Sequence, residues 1–257
     1  MNRLLPLLAL LAFAACKRST TDDGPCALEA IDYSSGPNRS TRFTYGPDGI
    51  RSAAHTDRII QYSYSGGRIA VRTVLRTNGE LIGTDSIRYN PDGTLGAVIQ
   101  RYRNYPNPTY GLIREELRYS GGGRLAGITA YVPGDTLRTT FSWTGEDLTE
   151  IVCRFGNGSL YDSTNIVYST EPNPFADMGP DVPLVDPQTP FLLTCYDALA
   201  RYYSRHRALY STRRFGNGVV HNNVFVHTVS PAGRTLEFGN SATGEVALYR
   251  YHNCNPL

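Results

Sequence analysis

The clearest chemistry near the start of the chain belongs to the thiol of Cys16. The preceding stretch places a positive charge at Arg3, an apolar run from Leu4 to Phe13 and the small residues Ala14 and Ala15 just before the cysteine. This order is typical of a bacterial signal peptide, and the apolar run is too short to span a bilayer. The sequence predicts a lipoprotein signal peptide over residues 1–15 and a lipid on Cys16. An ordinary secretory signal that contains a cysteine is the alternative.

Residues 16–25 predict a lipidated tether, because they are polar and lack large apolar side chains. The residue after the cysteine is Lys17. An Asp there would indicate retention in the inner membrane of enteric bacteria. The charged run after the cysteine resembles that of Bacteroidota lipoproteins, which implies an outer membrane lipoprotein in the cell envelope. Its periplasmic or cell-surface face stays open. Residues 26–257 are long enough for a single folded domain.

Four further cysteines, Cys26, Cys153, Cys195 and Cys254, could form one or two disulfides in an oxidising compartment. Cys26 and Cys254 lie at opposite ends of the domain. Because domain termini are often close in space, a bridge between these two would tie both ends together. Four buried thiols without a bridge are the alternative.

Motifs for catalysis, cofactors and metals are missing from the sequence. It has no nucleophile elbow, zinc-protease helix motif or phosphate-binding loop. His221 and His227 share one predicted strand, but side chains six residues apart on a strand are about 20 Å apart and cannot share one metal. Asp177, Asp181 and Asp186 lack calcium-loop spacing and are interpreted as solvated carboxylates. We expect no catalytic residue, no cofactor and no metal.

Three tripeptides of Asp, a hydroxyl residue and a third residue could accept a sugar. Ser86, Thr136 and Ser163 each follow an Asp, in a pattern that resembles the O-glycosylation acceptor of Bacteroidota envelope proteins. The alternative is structural. In a hairpin repeat, the Asp would close a turn and the Ser or Thr would open a strand.

A recurring unit organises the middle of the chain: an aromatic residue, a glycine-containing turn and an aliphatic residue. The units run from Tyr45 to Ile50, Tyr64 to Ile69, Tyr89 to Leu95, Tyr119 to Leu125 and Trp143 to Leu148, with a weaker one from Tyr168. Apolar and polar residues alternate between these units, which is the period of a half-buried strand. The glycine turns suit tight hairpins. The pattern predicts a long antiparallel β-meander that must curl, close or be covered.

One segment has helical periodicity. Over residues 188–206, Phe191, Cys195, Leu199 and Tyr202 recur on one helical face. The sequence therefore predicts a mainly β fold, a curved antiparallel β-meander of repeated hairpins with one α-helix in its C-terminal half. We expect this helix to pack its apolar face on the sheet.

The lipoprotein cysteine, the aromatic-glycine-aliphatic units, the NPF segment at Asn173 to Phe175 and the Y-x-Y-x-x-C end from Tyr249 to Cys254 together resemble a Bacteroidota lipoprotein family of unknown function. Its sheets are similar to the YD repeats of Rhs-type proteins. The resemblance covers nearly the whole mature chain. It implies a β-meander fold and an envelope location, and it implies no activity.

The charge balance argues against a nucleic-acid partner, because 25 basic residues nearly balance 23 acidic ones and are spread along the chain. We therefore expect a non-enzymatic binding or scaffolding module that is attached to the membrane by its lipid and contacts a glycan or an envelope protein. A glycan-binding surface lipoprotein is the first alternative, since tyrosines and arginines interleave over residues 101–105 and Tyr202–Tyr203 adds two rings. A hydrolase without a recognisable motif is the second. Oligomeric state does not follow from the sequence.

Overall fold

The computed structural model describes residues 27–34, 40–102, 112–173, 203–230, 235–240 and 244–252. These residues form sixteen strands. The strands are β1 Ala27–Tyr33, β2 Ser40–Gly46, β3 Gly49–Ala54, β4 Arg58–Ser65, β5 Arg68–Arg76, β6 Leu81–Tyr89, β7 Leu95–Tyr102, β8 Leu112–Tyr119, β9 Leu125–Val132, β10 Asp135–Thr144, β11 Asp147–Phe155, β12 Leu160–Pro172, β13 His206–Phe215, β14 Val220–Val229, β15 Thr235–Asn240 and β16 Glu245–His252.

The strands form one closed antiparallel barrel. Each strand pairs with its neighbours in sequence, and β1 pairs with β16 to close the sheet. The predicted antiparallel meander is confirmed, and closure is how this long sheet avoids exposed edges. Closing also gives every strand one face toward the interior and one toward the outside.

Hairpin turns of one type connect many of the strands. In the segment Arg76–Glu80, Gly79 donates its N–H to the carbonyl of Arg76, and Arg76 donates to the carbonyl of Glu80. Gly79 has φ +87°, as a three-residue hairpin loop with a bulge requires. The same pair of hydrogen bonds recurs in the segments 90–94, 120–124, 155–159 and 215–219.

The alternation of burial along each strand separates the interior from the outer wall. On β6, Gly83, Asp85 and Ile87 are buried, whereas Arg88 is exposed. Buried apolar side chains from β1 to β12, β15 and β16 form one continuous core. Burial of this apolar surface is the main driving force for the fold.

The aromatic residues of the repeat line one end of the barrel. Each follows a shift in strand register, for example between Ser63 and Tyr64 and between Ser142 and Trp143. The bulge turns the ring toward the neighbouring strand, where its polar atom donates to a backbone carbonyl. We call these five bonds the rim ladder: Tyr45 to Leu28 at 2.7 Å, Tyr64 to Ile50 at 3.0 Å, Tyr89 to Ile69 at 3.1 Å, Trp143 to Leu125 at 2.9 Å and Tyr168 to Leu148 at 2.6 Å.

The rim ladder joins consecutive repeat units. The acceptors Ile50, Ile69, Leu125 and Leu148 are the aliphatic residues that close the preceding unit. An arginine of one unit also lies over the ring of the next, with Arg68 4.9 Å from the ring centroid of Tyr89. Each unit is thus fixed to its predecessor by the side chain that defines the repeat.

The predicted helix over residues 188–206 falls almost entirely outside the described residues. Its predicted end is wrong, because His206 is the first residue of β13. Packing of a helix on the sheet therefore stays a prediction for residues 188–202. Among the described residues, no helix has the length and apolar character needed to cross a membrane.

Candidate binding surfaces

A buried ion pair joins the inward faces of the neighbouring strands β5 and β6. Arg72 donates from Nε to Asp85 Oδ2 at 2.9 Å, and its Nη2 lies 2.8 Å from the same oxygen. The hydroxyl of Tyr102 is 3.4 Å from Asp85 Oδ2. Gly83 leaves space for the ring of Tyr102, because a Cβ at this position would come within 2.6 Å of that ring. Gly83 and Tyr102, which are paired across β6 and β7, thus pack together beside the Asp85 carboxylate.

Burial has opposite effects on the acid and base of this pair. Loss of hydration raises the pKa of Asp85, although Arg72 opposes the change. The nearby Asp85 carboxylate raises the pKa of Arg72 against its own desolvation. Burial also raises the pKa of Tyr102. The group is suited to hold the barrel wall together, because its charges are matched and covered.

A second inward ion pair lies on β12 and β13. Arg213 donates from Nε to Asp162 Oδ2 at 2.7 Å. Its guanidinium also lies 4.7 Å from the ring centroid of Phe215. Glu115, on β8, is another fully buried carboxylate of the interior. These groups are among several buried polar side chains of the interior, and Asp85 and Asp162 are each held by an arginine.

A hydrogen-bonded node joins the end of β12 to the start of β13. The Ser204 hydroxyl donates to Tyr168 Oη at 2.8 Å and accepts from the Leu148 N–H at 3.0 Å. Asn173 donates from its side chain to the Ser204 carbonyl and from its backbone to the Arg205 carbonyl, both at 2.7 Å. The node holds residues 173 and 204 together, next to each other at the edge of the barrel.

The node contains serine, histidine and aspartate, but it does not have the geometry of a catalytic triad. His206 Nδ1 is 2.8 Å from Asp147 Oδ2, and its backbone N–H donates to the other oxygen at 2.9 Å. Ser204 is fully buried and donates its proton to Tyr168. A nucleophilic serine must instead give that proton to the histidine. The arrangement therefore has a structural role: it holds residues 204–206 against β11 and β12.

The three predicted glycosylation residues lie on the outer wall. Ser86, Thr136 and Ser163 are half-buried and alternate with buried neighbours. The structural alternative is wrong for two of them, because Asp85 and Asp162 do not close turns and instead point inward within strands. Modification of these hydroxyls stays a prediction.

Cys16, the predicted lipidation residue, lies outside the described residues. So do Cys26 and Cys254, the predicted disulfide. The strands that flank the predicted bridge are described, and Ala27 pairs with His252. Cys153 is buried on β11 beside Ala130 and Leu137. Lipidation of Cys16 and the bridge therefore stay predictions.

Of the tyrosines that the sequence suggests for glycan binding, Tyr102 and Tyr203 lie among the described residues. Tyr102, taken from sequence as a candidate, is buried and points inward. Tyr64 and Tyr168 are partly buried members of the rim ladder. His221 and His227 lie on β14 as predicted, and the described residues contain no group of His, Cys, Asp and Glu arranged to hold a metal.

The outer wall around β8 to β11 is polar. Outward positions on β8 carry Arg114, Glu116 and Arg118, and those on β10 include Arg138 and Thr140. The lipid-facing band of a transmembrane barrel is apolar. This part of the wall does not carry such a band, whereas β14 exposes Val220, Val224 and Val226.

Sequence reasoning missed the interior ion pairs, although a signal was present. Asp85 alternates with the apolar Ile87 on one strand face, and Arg72 alternates with Val74 on the next. A charged residue in the apolar register of a strand indicates burial with a partner. The partner itself follows only from the pairing of Arg72 with Asp85 in the sheet.

No family model matches the chain, and no curated protein matches it. Among solved structures, a porin-like protein from Bacteroides vulgatus has a TM-score of 0.54 and 13% identity, over 90% of this chain and 99% of that one. A porin-like protein from Bacteroides uniformis has a TM-score of 0.41 and 11% identity, over 88% and 98%. The Tc holotoxin pore of Photorhabdus luminescens has a TM-score of 0.39 and 16% identity, over 77% of this chain and 11% of that one. The first likeness shows that the two chains share a fold.

Proposed function

We propose that this protein is a lipid-anchored component of the bacterial cell envelope, attached to the outer membrane through Cys16. Its barrel acts as a non-enzymatic binding or scaffolding module. The observation that carries this proposal is the combination of a lipoprotein-type N-terminus with a closed barrel whose wall around β8 to β11 is polar. A lipid on Cys16 would supply a defined attachment of such a barrel to the membrane.

The interior also favours a binding or scaffolding role over catalysis. Asp85 and Asp162 are each engaged by an arginine, and the Ser204 proton is directed to Tyr168. A hydrolase needs two acidic groups, or an acid and a histidine, that converge on a cleft. Asp147 and His206 do meet, at 2.8 Å, but the Ser204 hydroxyl near them donates to Tyr168, and Asp147 also accepts the His206 backbone N–H, which favours a structural role for this pair.

Lipid labelling in the native host tests the anchor. Cells are grown with a clickable fatty acid, and the protein is captured from wild type and from Cys16→Ser. We expect label on the wild-type protein, recovery in the outer membrane fraction, and loss of both in the variant. Cys153→Ser is the matched control, because it removes a thiol that is buried in the barrel wall. Unlabelled wild-type protein in the soluble fraction would refute the anchor.

A further inference from the structure

We propose that the outer wall of β8 to β11 binds an acidic polysaccharide through Arg118, Arg138 and Arg154. This rests on the proposed function and names the ligand class of the same envelope module. We call these three residues the arginine trio. All three are exposed.

The strand register places the arginine trio together. Arg138 on β10 lies directly opposite Arg154 on β11. Arg118 on β8 pairs with Gly127 on β9, which in turn pairs with Thr140 on β10. A Cβ on Gly127 would come within 2.7 Å of Arg118 Nη2, so the glycine allows this guanidinium to lie across β9 toward β10. The extended Arg118 side chain thus reaches over the one intervening strand toward Arg138, and the three arginines share one face of the wall.

Two guanidiniums of the trio are partly held by the protein itself. Arg138 donates from Nη1 to the Gly156 carbonyl at 3.3 Å, and Arg154 donates from Nη1 to the Gly158 carbonyl at 3.1 Å. Each bond uses one N–H and leaves others available. Arginine offers five donors in a planar fork, so a guanidinium oriented in this way can still bind an anion.

The charges of the trio have no local acidic partner. Among the described residues, no carboxylate oxygen forms an ion pair with Arg118, Arg138 or Arg154, which contrasts with the pairs on other parts of the wall: Arg42 with Glu29, Arg76 with Glu80 and Arg250 with Asp32. Like charges directly opposite each other destabilise a sheet. A bound anion would relieve the repulsion between Arg138 and Arg154.

The nearest acidic side chains are already engaged. Glu116 contacts Arg114 and accepts from the Tyr131 hydroxyl at 3.2 Å. Asp135 accepts the Gly156 N–H at 3.2 Å, and Glu150 accepts from Ser142 at 3.0 Å. Asp135 and Glu150 keep their negative charge, since their donors are neutral, but neither forms an ion pair with an arginine of the trio.

An acidic polysaccharide fits the remaining chemistry of this wall. Guanidinium groups bind carboxylates and sulfates through paired N–H donors. Thr129 and Thr140 place hydroxyl groups between the arginines, and the ring of Tyr131 is exposed on the same wall, where it can stack on a sugar. Arg138 and Arg154 lie side by side on neighbouring strands and Arg118 lies beyond β9, so the charges are spread across the strands, as a linear polymer with repeated acidic groups can use.

The binding test uses the mature chain, residues 16–257, with Cys16→Ser so that no lipid is attached. Polygalacturonate is the probe, with neutral dextran as the uncharged comparison, and affinity is measured by calorimetry at low and at physiological salt. We expect binding of polygalacturonate that weakens with salt and no binding of dextran. The triple variant Arg118→Gln, Arg138→Gln and Arg154→Gln should lose at least about tenfold in affinity, because charge-assisted hydrogen bonds are lost.

The matched control is Arg42→Gln, Arg76→Gln and Arg250→Gln, which removes the same charge from paired arginines elsewhere on the wall. It should keep wild-type affinity. Equal losses in both triple variants, or binding of dextran as tight as that of polygalacturonate, would overturn the proposal. So would binding to phosphatidylglycerol vesicles without binding to polygalacturonate. Because the assay needs no lipid anchor, its outcome is separate from that of lipid labelling.

A stability readout is independent of the ligand. Removing the trio relieves repulsion between Arg138 and Arg154, so the melting temperature at low salt should stay the same or rise. Removing the paired arginines should lower it slightly. A folded trio variant without polygalacturonate binding supports the assignment, and unfolding of this variant at low salt would contradict it.

Discussion

At the scale of the residue, the interior of the barrel contains a carboxylate that water does not reach. Asp85 is fully buried, and both nitrogens that contact it belong to Arg72. Replacing Arg72 with Met retains much of the side-chain length and removes the cation. We expect the free energy of unfolding at pH 7 to fall by about 3–5 kcal/mol, because a buried charge is left uncompensated. Urea unfolding followed by circular dichroism measures this loss.

The pH dependence of that loss identifies its cause. Burial raises the pKa of Asp85, so the folded state retains a proton that the unfolded state gives up as the pH rises above about 4. The carboxyl therefore contributes less stability as the pH rises through this interval. Without Arg72 the pKa is raised further, and the cost of Arg72→Met should be smaller at pH 4 than at pH 7.

A double variant supplies the control for this result. Asp85→Leu in the Arg72→Met background replaces the pair with apolar side chains and removes the titrating group. It should recover much of the stability at pH 7 and lose the pH dependence. An equal cost of Arg72→Met at both pH values would show that packing of the long side chain, and not charge, is responsible.

At the scale of the element, one side-chain hydrogen bond per repeat joins neighbouring strands. Tyr64→Phe removes the hydroxyl that donates to the Ile50 carbonyl and leaves the ring in place. We expect a loss of about 1 kcal/mol in the free energy of unfolding, since a partly buried carbonyl loses its donor. Tyr131→Phe is the control, because its hydroxyl contacts Glu116 on the exposed wall. The control should change stability by less than about 0.5 kcal/mol, and equal losses would show that the rim ladder adds nothing.

The repeat could be predicted from sequence because its causes are local. The alternation around Tyr64 and Ile69 defines a strand, a glycine turn and a second strand, and all three are present. The bond from Tyr64 to the Ile50 carbonyl could not be predicted in this way, since the bulge between Ser63 and Tyr64 that aims the ring is a property of paired strands. The interior pair of Arg72 and Asp85 was missed for the same reason.

At the scale of the whole molecule, the barrel depends on one contact between the two ends of the chain. β1 pairs with β16 from Ala27 and His252 to Tyr33 and Ala247. Asp32 contacts Arg250 across this seam. From the predicted meander alone, the sheet could curl, close into a barrel or be covered by another element. No local pattern in the sequence encodes a pairing between residues so far apart. Closure is decided by the number and twist of all the strands together.

The seam gives the predicted Cys26–Cys254 disulfide a physical basis. Ala27 and His252, which are the neighbours in sequence of Cys26 and Asn253, are paired across the seam. Bridged cysteines have Cα atoms about 4.4–6.8 Å apart, a distance that neighbouring strands satisfy.

Peptide mapping without reduction should find Cys26 linked to Cys254. Cys254→Ser should lower the free energy of unfolding by about 3–5 kcal/mol under oxidising conditions, since the bridge closes nearly the whole domain as one loop. Cys26→Ser should lose the same amount, and reduced wild type should match both variants. Recovery of both cysteines as alkylated thiols from unreduced protein would show that strand pairing alone holds the seam.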